Sequence, residues 1–239
     1  MPMGWKTKNR GKLTPLFDRY AGSYNKDLNQ AIAFSGRDSV FFATAKVDLL
    51  KRIISSHIWD LSNVRMLDVG CGTGALHPQL GNLGARITGA DISIASLQTA
   101  AKSNPDARYL AFDGQTLPFL DHSFDVTIAV CAFHHISASQ QPFLLAEMCR
   151  VTRPKGLLAI IEHNPLNPLT RLAVMKCPFD EGCILLPARA SRQLFKQVHI
   201  HAQTEYFLFF PFRNRLLSAI EMKMGKLCLG AQYCTYGIC

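Results

Sequence analysis

At 239 residues, 48% of them hydrophobic, the chain is long enough for one α/β domain with a sizeable core, and it carries no run of about 18 apolar residues that would mark a membrane span. The N-terminus is polar and basic without an apolar stretch, so no secretory signal is expected. The eight cysteines, scattered through apolar contexts, are expected as free thiols of a reducing cytoplasm. The net charge of +9 is uneven, with five basic groups against one acid in residues 1–20 and eleven against five in residues 151–239. Such an excess can attract an anionic substrate, nucleic acid or an acidic partner, or be no more than a solvated surface.

In chain order, residues 1–15 read as a flexible basic tail. Phe17 to Phe34 reads as a polar-aromatic helix carrying Asp18, Tyr20, Tyr24 and Asp27, and Val40 to Ile54 has apolar residues at helical spacing. Alternation then sets in. Val64–Val69 is a strand, Ala75–Leu83 a helix that tolerates Pro78 only in its first turn, and Arg86–Ala90 a strand. Ser93 caps a helix to Ala101. Ala107–Phe112 and Phe124–Val130 are strands, Ser139–Arg150 a helix and Gly156–Ile161 a buried strand. This order predicts a parallel sheet with helices on both faces. Glu162 to Pro168 is a loop with two Asn/Pro turns. Helices follow at Leu169–Met175 and Ala188–Lys196, then a strand at Glu205–Phe210, a helical insertion at Arg213–Met224 and a last strand at Ala231–Tyr236.

The chemistry concentrates at Met66-Leu67-Asp68-Val69-Gly70-Cys71-Gly72-Thr73-Gly74. An apolar strand ends beside an acid and runs into three glycines, which allow a sharp turn and close approach of a ligand to the main chain. A helix opening just after Gly74 would point free N–H groups at that ligand. The run Gly70 to Ala75 also fits the dinucleotide pattern G-x-G-x-x-G/A, with Asp91 downstream for a ribose. Asp68 argues otherwise, because a negative charge there repels a pyrophosphate and welcomes an ammonium or sulfonium. In open α/β sheets ligands lie beyond the carboxyl ends of the strands, where Asp68, Asp91, Asp113, Cys131 to His135 and Glu162 all fall. Asp91 is placed to accept ribose hydroxyls or to cap a helix, with Ser93 the better cap. Asp113 could simply start the turn at Gly114.

With these residues the chain resembles the class I S-adenosylmethionine-dependent methyltransferases. Leu67 to Gly74 is similar to the family's first motif and Gly89-Ala90-Asp91-Ile92-Ser93 to its second. Phe112-Asp113-Gly114 with Leu117-Pro118-Phe119 is similar to the third, Ser123 to Val126 through Ile136 to the fourth strand and its loop, and Glu147 to Gly156 to the entry into strand five. The resemblance implies a Rossmann-like, doubly wound α/β sheet of seven strands in the order 3-2-1-4-5-7-6, the last antiparallel. It implies one domain over 1–239, with a helical lid at 16–60, a cofactor core at 61–165 and a substrate-facing elaboration with the last two strands at 166–239. It implies S-adenosylmethionine held by Asp68, Gly70, Cys71, Gly72, Asp91 and Asp113, with Ile92 and Phe112 walling the adenine, Cys131 beside it and Tyr20 and Tyr24 closing over it. The bland alternative for the two tyrosines is packing of their helix onto the sheet.

His134, His135, Glu162 and His163 are expected to face the methyl acceptor. A histidine near neutrality suits general-base work, although transfer from a sulfonium needs mainly in-line positioning. Asn164 and Asn167 read either as hydroxyl ligands of a polyol or as turn residues. Glu162 to Thr170, with Cys177-Pro178-Phe179-Asp180, is similar to a bacterial methyltransferase group that accompanies surface-glycan biosynthesis. The expected reaction is therefore methyl transfer to a hydroxyl oxygen of a small-molecule or glycan-like acceptor in the cytoplasm. The rivals are an RNA-directed methyltransferase, a non-catalytic cofactor-binding protein and, more distantly, a dehydrogenase. RNA is the weaker option, since Cys131-Ala132-Phe133-His134 stands where amino-group methyltransferases carry Asn/Asp-Pro-Pro-Tyr. Cys228, Cys234 and Cys239 lack the spacing of a zinc set, and no metal is expected.

Overall fold

The computed structural model describes residues 14–58, 62–211 and 215–239. The basic tail falls almost wholly outside the described residues. Seven strands form one sheet in the order β3-β2-β1-β4-β5-β7-β6: β1 Arg65–Val69, β2 Arg86–Asp91, β3 Arg108–Ala111, β4 Phe124–Val130, β5 Thr152–His163, β6 Gln203–Phe207 and β7 Gln232–Ile238. The first five pair in parallel, and β7 runs antiparallel to both β5 and β6. This is the expected order, and the expected strand is the reversed one.

Parallel strands covered on both faces read as continuous apolar runs because each face must be dry. In β5, Leu157, Ala159 and Ile161 point into one core while Leu158 and Ile160 point into the other, and all five are fully buried. The first core is closed by α3 (Ser39–His57) through Leu50, Ile53 and Ile54. The second is closed by α6 (Gln141–Val151) through Leu144, Leu145 and Met148, and by α8 (Ala188–Gln197) through Leu194 and Phe195. Each such buried side chain contributes about 1.5–3 kcal/mol of transfer free energy. Caps set the starts: Asp38 accepts the N–H of Phe41 ahead of α3, and Ser93 accepts that of Ser96 ahead of α5 (Ile94–Ser103).

The structure departs from the sequence reading at several element ends. The single helix expected over Phe17–Phe34 is two, α1 (Thr14–Tyr20) and α2 (Tyr24–Ile32), broken by the turn in which the Ser23 N–H reaches Tyr20 O. The helix after the glycine turn, α4 (His77–Gly81), starts two residues late, where Pro78 fits the first turn. Strand β5 continues through Glu162 and His163, which therefore belong to a strand and not to a loop. β6 ends at Phe207 because Leu208 turns to φ 61°. Beyond β5 come α7 (Pro168–Lys176) and α9 (Arg215–Met224).

Candidate active site

The glycine turn leaves the carboxyl end of β1 beside the point where the strand order reverses between β1 and β4. Gly70, Gly72 and Gly74 all have positive φ, at 73°, 53° and 70°. At Gly70 a Cβ would sit 2.7 Å from Cβ of Ala132, so the loops after β1 and β4 touch and only glycine fits between them. The Gly72 N–H donates to Asp91 Oδ2 at 2.8 Å, and the Ser93 N–H donates to Asp91 Oδ1 at 2.8 Å. Burial pushes the Asp91 carboxyl above its ordinary range, and these N–H bonds offset only part of that.

Asp68 is buried. Its Oδ2 is 3.1 Å from His77 Nε2, while its Oδ1 has no partner. Tyr109 Oη in turn lies 2.7 Å from His77 Nδ1. A buried carboxylate oxygen without a donor, on a residue that lines the cleft, suits a cationic ligand such as the ammonium of a methionyl group. The Asp113 side chain takes up its local turn, with Oδ1 accepting the N–H groups of Gln115 and Thr116, both at 2.8 Å. The loop that carries Phe112 and Asp113 is pinned by Arg150, which donates to the carbonyls of Leu117 and Phe119 and to Glu147 and Asp121.

Across the cleft, the chain leaves β4 through Cys131, a non-glycine residue at φ 52°. Burial alone would push the Cys131 thiol up, but Lys46 and His163 outweigh it and bring it down to about 7. A short 3-10 turn then carries His134 and His135. Glu162, fully buried, accepts the Phe133 N–H on Oε1 at 2.7 Å and lies 2.6 Å from His134 Nδ1 through Oε2. Asp180 approaches from the turn after α7, with Oδ1 3.2 Å from His135 Nε2 and 3.5 Å from His134 Nε2. Burial disfavours a charged His134, but the Glu162 and Asp180 carboxylates override it and hold that ring's pKa well above the ordinary value. His135, where burial dominates, is held below it. The His163 ring lies 5.3 Å from that of His134, and its Nδ1 is 3.3 Å from Gln232 Nε2.

One cavity of about 1210 Å³ joins these regions. Of the residues singled out in the sequence, Asp68, Gly70, Cys71, Gly72, Asp91, Ile92, Phe112, Asp113, Cys131, His134, His135, His163 and Tyr24 line it. Two do not. Glu162 stands behind His134 instead of facing an acceptor, because β5 continues past it. Tyr20 turns its ring edge to Phe179 at 5.9 Å. Tyr24 stacks on the same ring at 4.6 Å, so the two tyrosines pack on the segment after α7 and not on the sheet. α1 bridges the two sides: Asp18 accepts from Ser93 Oγ at 2.6 Å, and the edge of Phe17 meets His135 at 5.0 Å. Asn164 spends its amide on the carbonyls of Cys228 and Gly230, and Asn167 caps α7 and donates to Leu229 O. Both take up turn positions, so Asn164 is turned away from the cavity, while Asn167 also lines it. The far wall is apolar, with Phe34, Val40, Phe42, Leu169, Leu208 and Phe210. Among these, Phe34, Val40 and Leu169 reach solvent.

Sequence reading missed His77, Lys46, Arg150 and Asp180. Asp180 stands in a quoted motif, but nothing in the linear order brings it to His134 and His135.

Glycine turn, strand order and convergent acids define a Rossmann-like fold built around a nucleotide-type cofactor. Comparison with known proteins makes the class specific. The family of methyltransferase domains matches residues 67–160. The demethylmenaquinone methyltransferase of Thermotoga maritima is 33% identical over 167 residues, 69% of this chain and 66% of that protein. The enzyme of the same name from Renibacterium salmoninarum is 30% identical over 114 residues, 48% of this chain and 47% of that protein. The chain thus spans between about half and two thirds of the length of these curated relatives. A solved Thermotoga maritima S-adenosylmethionine-dependent methyltransferase, described as a possible histamine N-methyltransferase, shares the fold at a TM-score of 0.68 and 16% identity, covering 95% of this chain and 99% of that one. The chain belongs to the class I S-adenosylmethionine-dependent methyltransferases, and S-adenosylmethionine is its cofactor.

Proposed function

We propose that the protein methylates a hydroxyl oxygen of a small acceptor that joins a polar head to an apolar tail. The observation that carries this reading is the single cavity running from the glycine turn, past the histidines, to a wall of phenylalanine and leucine. A polar wall orients a head group, and an apolar wall stabilises a tail by about 25 cal/mol for each Å² removed from water. The relatives named for a quinone acceptor favour the same chemical class, and the glycan-like alternative loses Asn164, whose amide is spent on the carbonyls of Cys228 and Gly230.

In this reading Asp91 accepts the ribose hydroxyls and Asp113 the adenine amino group through its second oxygen, with Ile92 and Phe112 as walls. Asp68 Oδ1 takes the ammonium, while Gly70, Cys71 and Gly72 offer main chain. When bound, the cofactor supplies an already activated sulfonium methyl group. The work of this chain is then to position the acceptor in line and to exclude water. His163, at the cleft wall, accepts the proton that the hydroxyl loses. His134, oriented by Glu162, and His135 hold the head group. α1, α2 and Tyr24 close the cofactor side as a lid, and residues 166–239 supply the acceptor-facing elaboration. No helix among the described residues is long and apolar enough to cross a membrane, and the eight free cysteines fit a reducing cytoplasm.

A ring carbon next to a hydroxyl is the second reading, favoured by the demethylmenaquinone relatives. An RNA acceptor has less support, since Lys26 and Lys46 are the basic residues in the described lining. Incubation with methyl-labelled cofactor and a panel of amphipathic phenols, quinols, hydroxy-lipids and short RNA, followed by NMR of the product, separates these readings. A new O-methyl signal on an amphipathic acceptor supports the proposal. A C-methyl signal, or label on RNA alone, overturns it.

A further inference from the structure

The cluster after β4 contains more than methyl transfer requires. Asp180 Oδ1, His134 Nε2 and His135 Nε2 converge to within 4.8 Å of one another, and Asp180 lies 3.2 and 3.5 Å from the two ring nitrogens. Three donors bound to one ion at about 2.1 Å stand roughly 3–3.5 Å apart, so the carboxylate already sits at the spacing of a shared ion from each ring. His134 is 3% exposed, yet its Nε2 has no hydrogen-bond partner. Its Nδ1 is taken by Glu162, whose other oxygen is fixed by the main-chain N–H of Phe133. A buried carboxylate holding one ring nitrogen, while the other faces Asp180 at 3.5 Å without a formed hydrogen bond, is the arrangement that orients a metal-binding histidine.

Charge points the same way. Glu162 and Asp180 are both buried carboxylates, and two buried negative charges need compensation. One divalent ion held between them can supply it. All three candidate ligands line the cleft, so an ion held by them would keep a position open toward it.

We propose that His134, His135 and Asp180 bind one borderline divalent transition-metal ion, with zinc, cobalt, nickel or ferrous iron as the fitting class. Two imidazoles and one carboxylate select such ions over magnesium and calcium, which prefer oxygen ligands. Glu162 is the positioning residue behind His134. The open position would take an oxygen of the acceptor head group, a role that rests on the acceptor reading above, whereas binding of the ion does not.

The test uses the full chain. Metal is stripped with chelator, and the protein is titrated with zinc under calorimetry and with cobalt under visible absorption spectroscopy. One equivalent of cobalt with ligand-field bands is expected. His135→Ala and Asp180→Asn should abolish stoichiometric binding, and Glu162→Gln should weaken it about 10–100-fold, with circular dichroism reporting the fold of each variant. Should the variants not fold, anomalous diffraction from zinc-soaked crystals of the native chain gives the answer, with a peak expected among the three side chains. Absence of binding by both zinc and cobalt, binding unchanged in both ligand variants, or an anomalous map without that peak overturns the proposal and leaves an imidazolium–carboxylate cluster. Because methyl transfer is not read, failure here leaves the methyl-transfer reading untouched, and the reverse holds as well.

Discussion

On the cofactor side of the cleft Asp91 and Asp113 are held by main-chain N–H groups no more than 19 positions away, although His77–Tyr109 and Asp18–Ser93 join side chains 32 and 75 positions apart. The Gly72 N–H meets a carboxylate 19 positions on, and Asp113 folds its own turn. On the acceptor side the contacts are between side chains of distant segments: His134 to Glu162 across 28 positions, His135 to Asp180 from the turn after α7, and Phe34 and Phe210 facing one cavity from opposite ends of the chain. A glycine turn and an acid at a strand end can serve any nucleotide cofactor, because they bind what all such cofactors share. A wall assembled from several segments can change one residue at a time, so in the proposed reading specificity is set on the acceptor side.

The sharpest break of this comparison is Asp91→Ala. It removes the acceptors proposed for the ribose and the anchor of the Gly72 N–H, so affinity for S-adenosylmethionine should fall by about 100-fold or more, at roughly 1.5–3 kcal/mol for each charged hydrogen bond. Calorimetry reads this, and affinity within threefold of wild type would detach Asp91 from the cofactor. Next is Gly70→Ala, at the point where the two sides touch. Its Cβ meets Ala132 at 2.7 Å with φ at 73°, so thermal unfolding should report a loss of about 1–3 kcal/mol together with weaker cofactor binding. An unchanged melting point would mean that the loops after β1 and β4 are not in register contact.

The acceptor side should break alone. Phe42→Asp puts a charge in the apolar wall and should raise KM for an amphipathic acceptor about tenfold or more, leaving KM for S-adenosylmethionine within twofold. If both constants rise together, the wall serves the cofactor and the division between the sides is wrong. The smallest effect concerns Cys131, which stands between them. With its thiol held at about 7, the thiolate fraction grows as pH rises through that value, so alkylation mapped by mass spectrometry should be half-maximal near pH 7. An ordinary thiol reaches that point at roughly 8.5. Lys46→Met removes the stabilising charge and should move the midpoint upward. A midpoint that stays put would show that Lys46 does not act on the thiol.

The fold was legible because its signals are local. Apolar runs bounded by turns pointed to the strands, the family resemblance supplied the sheet order, and Ser93 announced its helix as a cap. Where local pattern competed with pairing, the reading slipped: Glu162 and His163 look like loop residues before two prolines, yet pairing with Tyr233 and Gln232 carries them into β5. The residues proposed for the cofactor were singled out for the same reason as the strands, each sitting at a strand end, and most of them line the cavity. Asp180 and Lys46 were not, because only tertiary folding delivers them. Asn164 stayed open between ligand and turn residue because its partners, the carbonyls of Cys228 and Gly230, stand more than sixty positions away.

The central claim is that this cleft takes S-adenosylmethionine beside Asp68 and Asp91, with its apolar lobe left for the acceptor. Equilibrium calorimetry of the full chain against S-adenosylmethionine, S-adenosylhomocysteine and NAD tests it most directly. The account predicts one equivalent of S-adenosylmethionine bound, displaced by S-adenosylhomocysteine and indifferent to NAD. Absence of binding at high micromolar S-adenosylmethionine, or a preference for NAD, would contradict it.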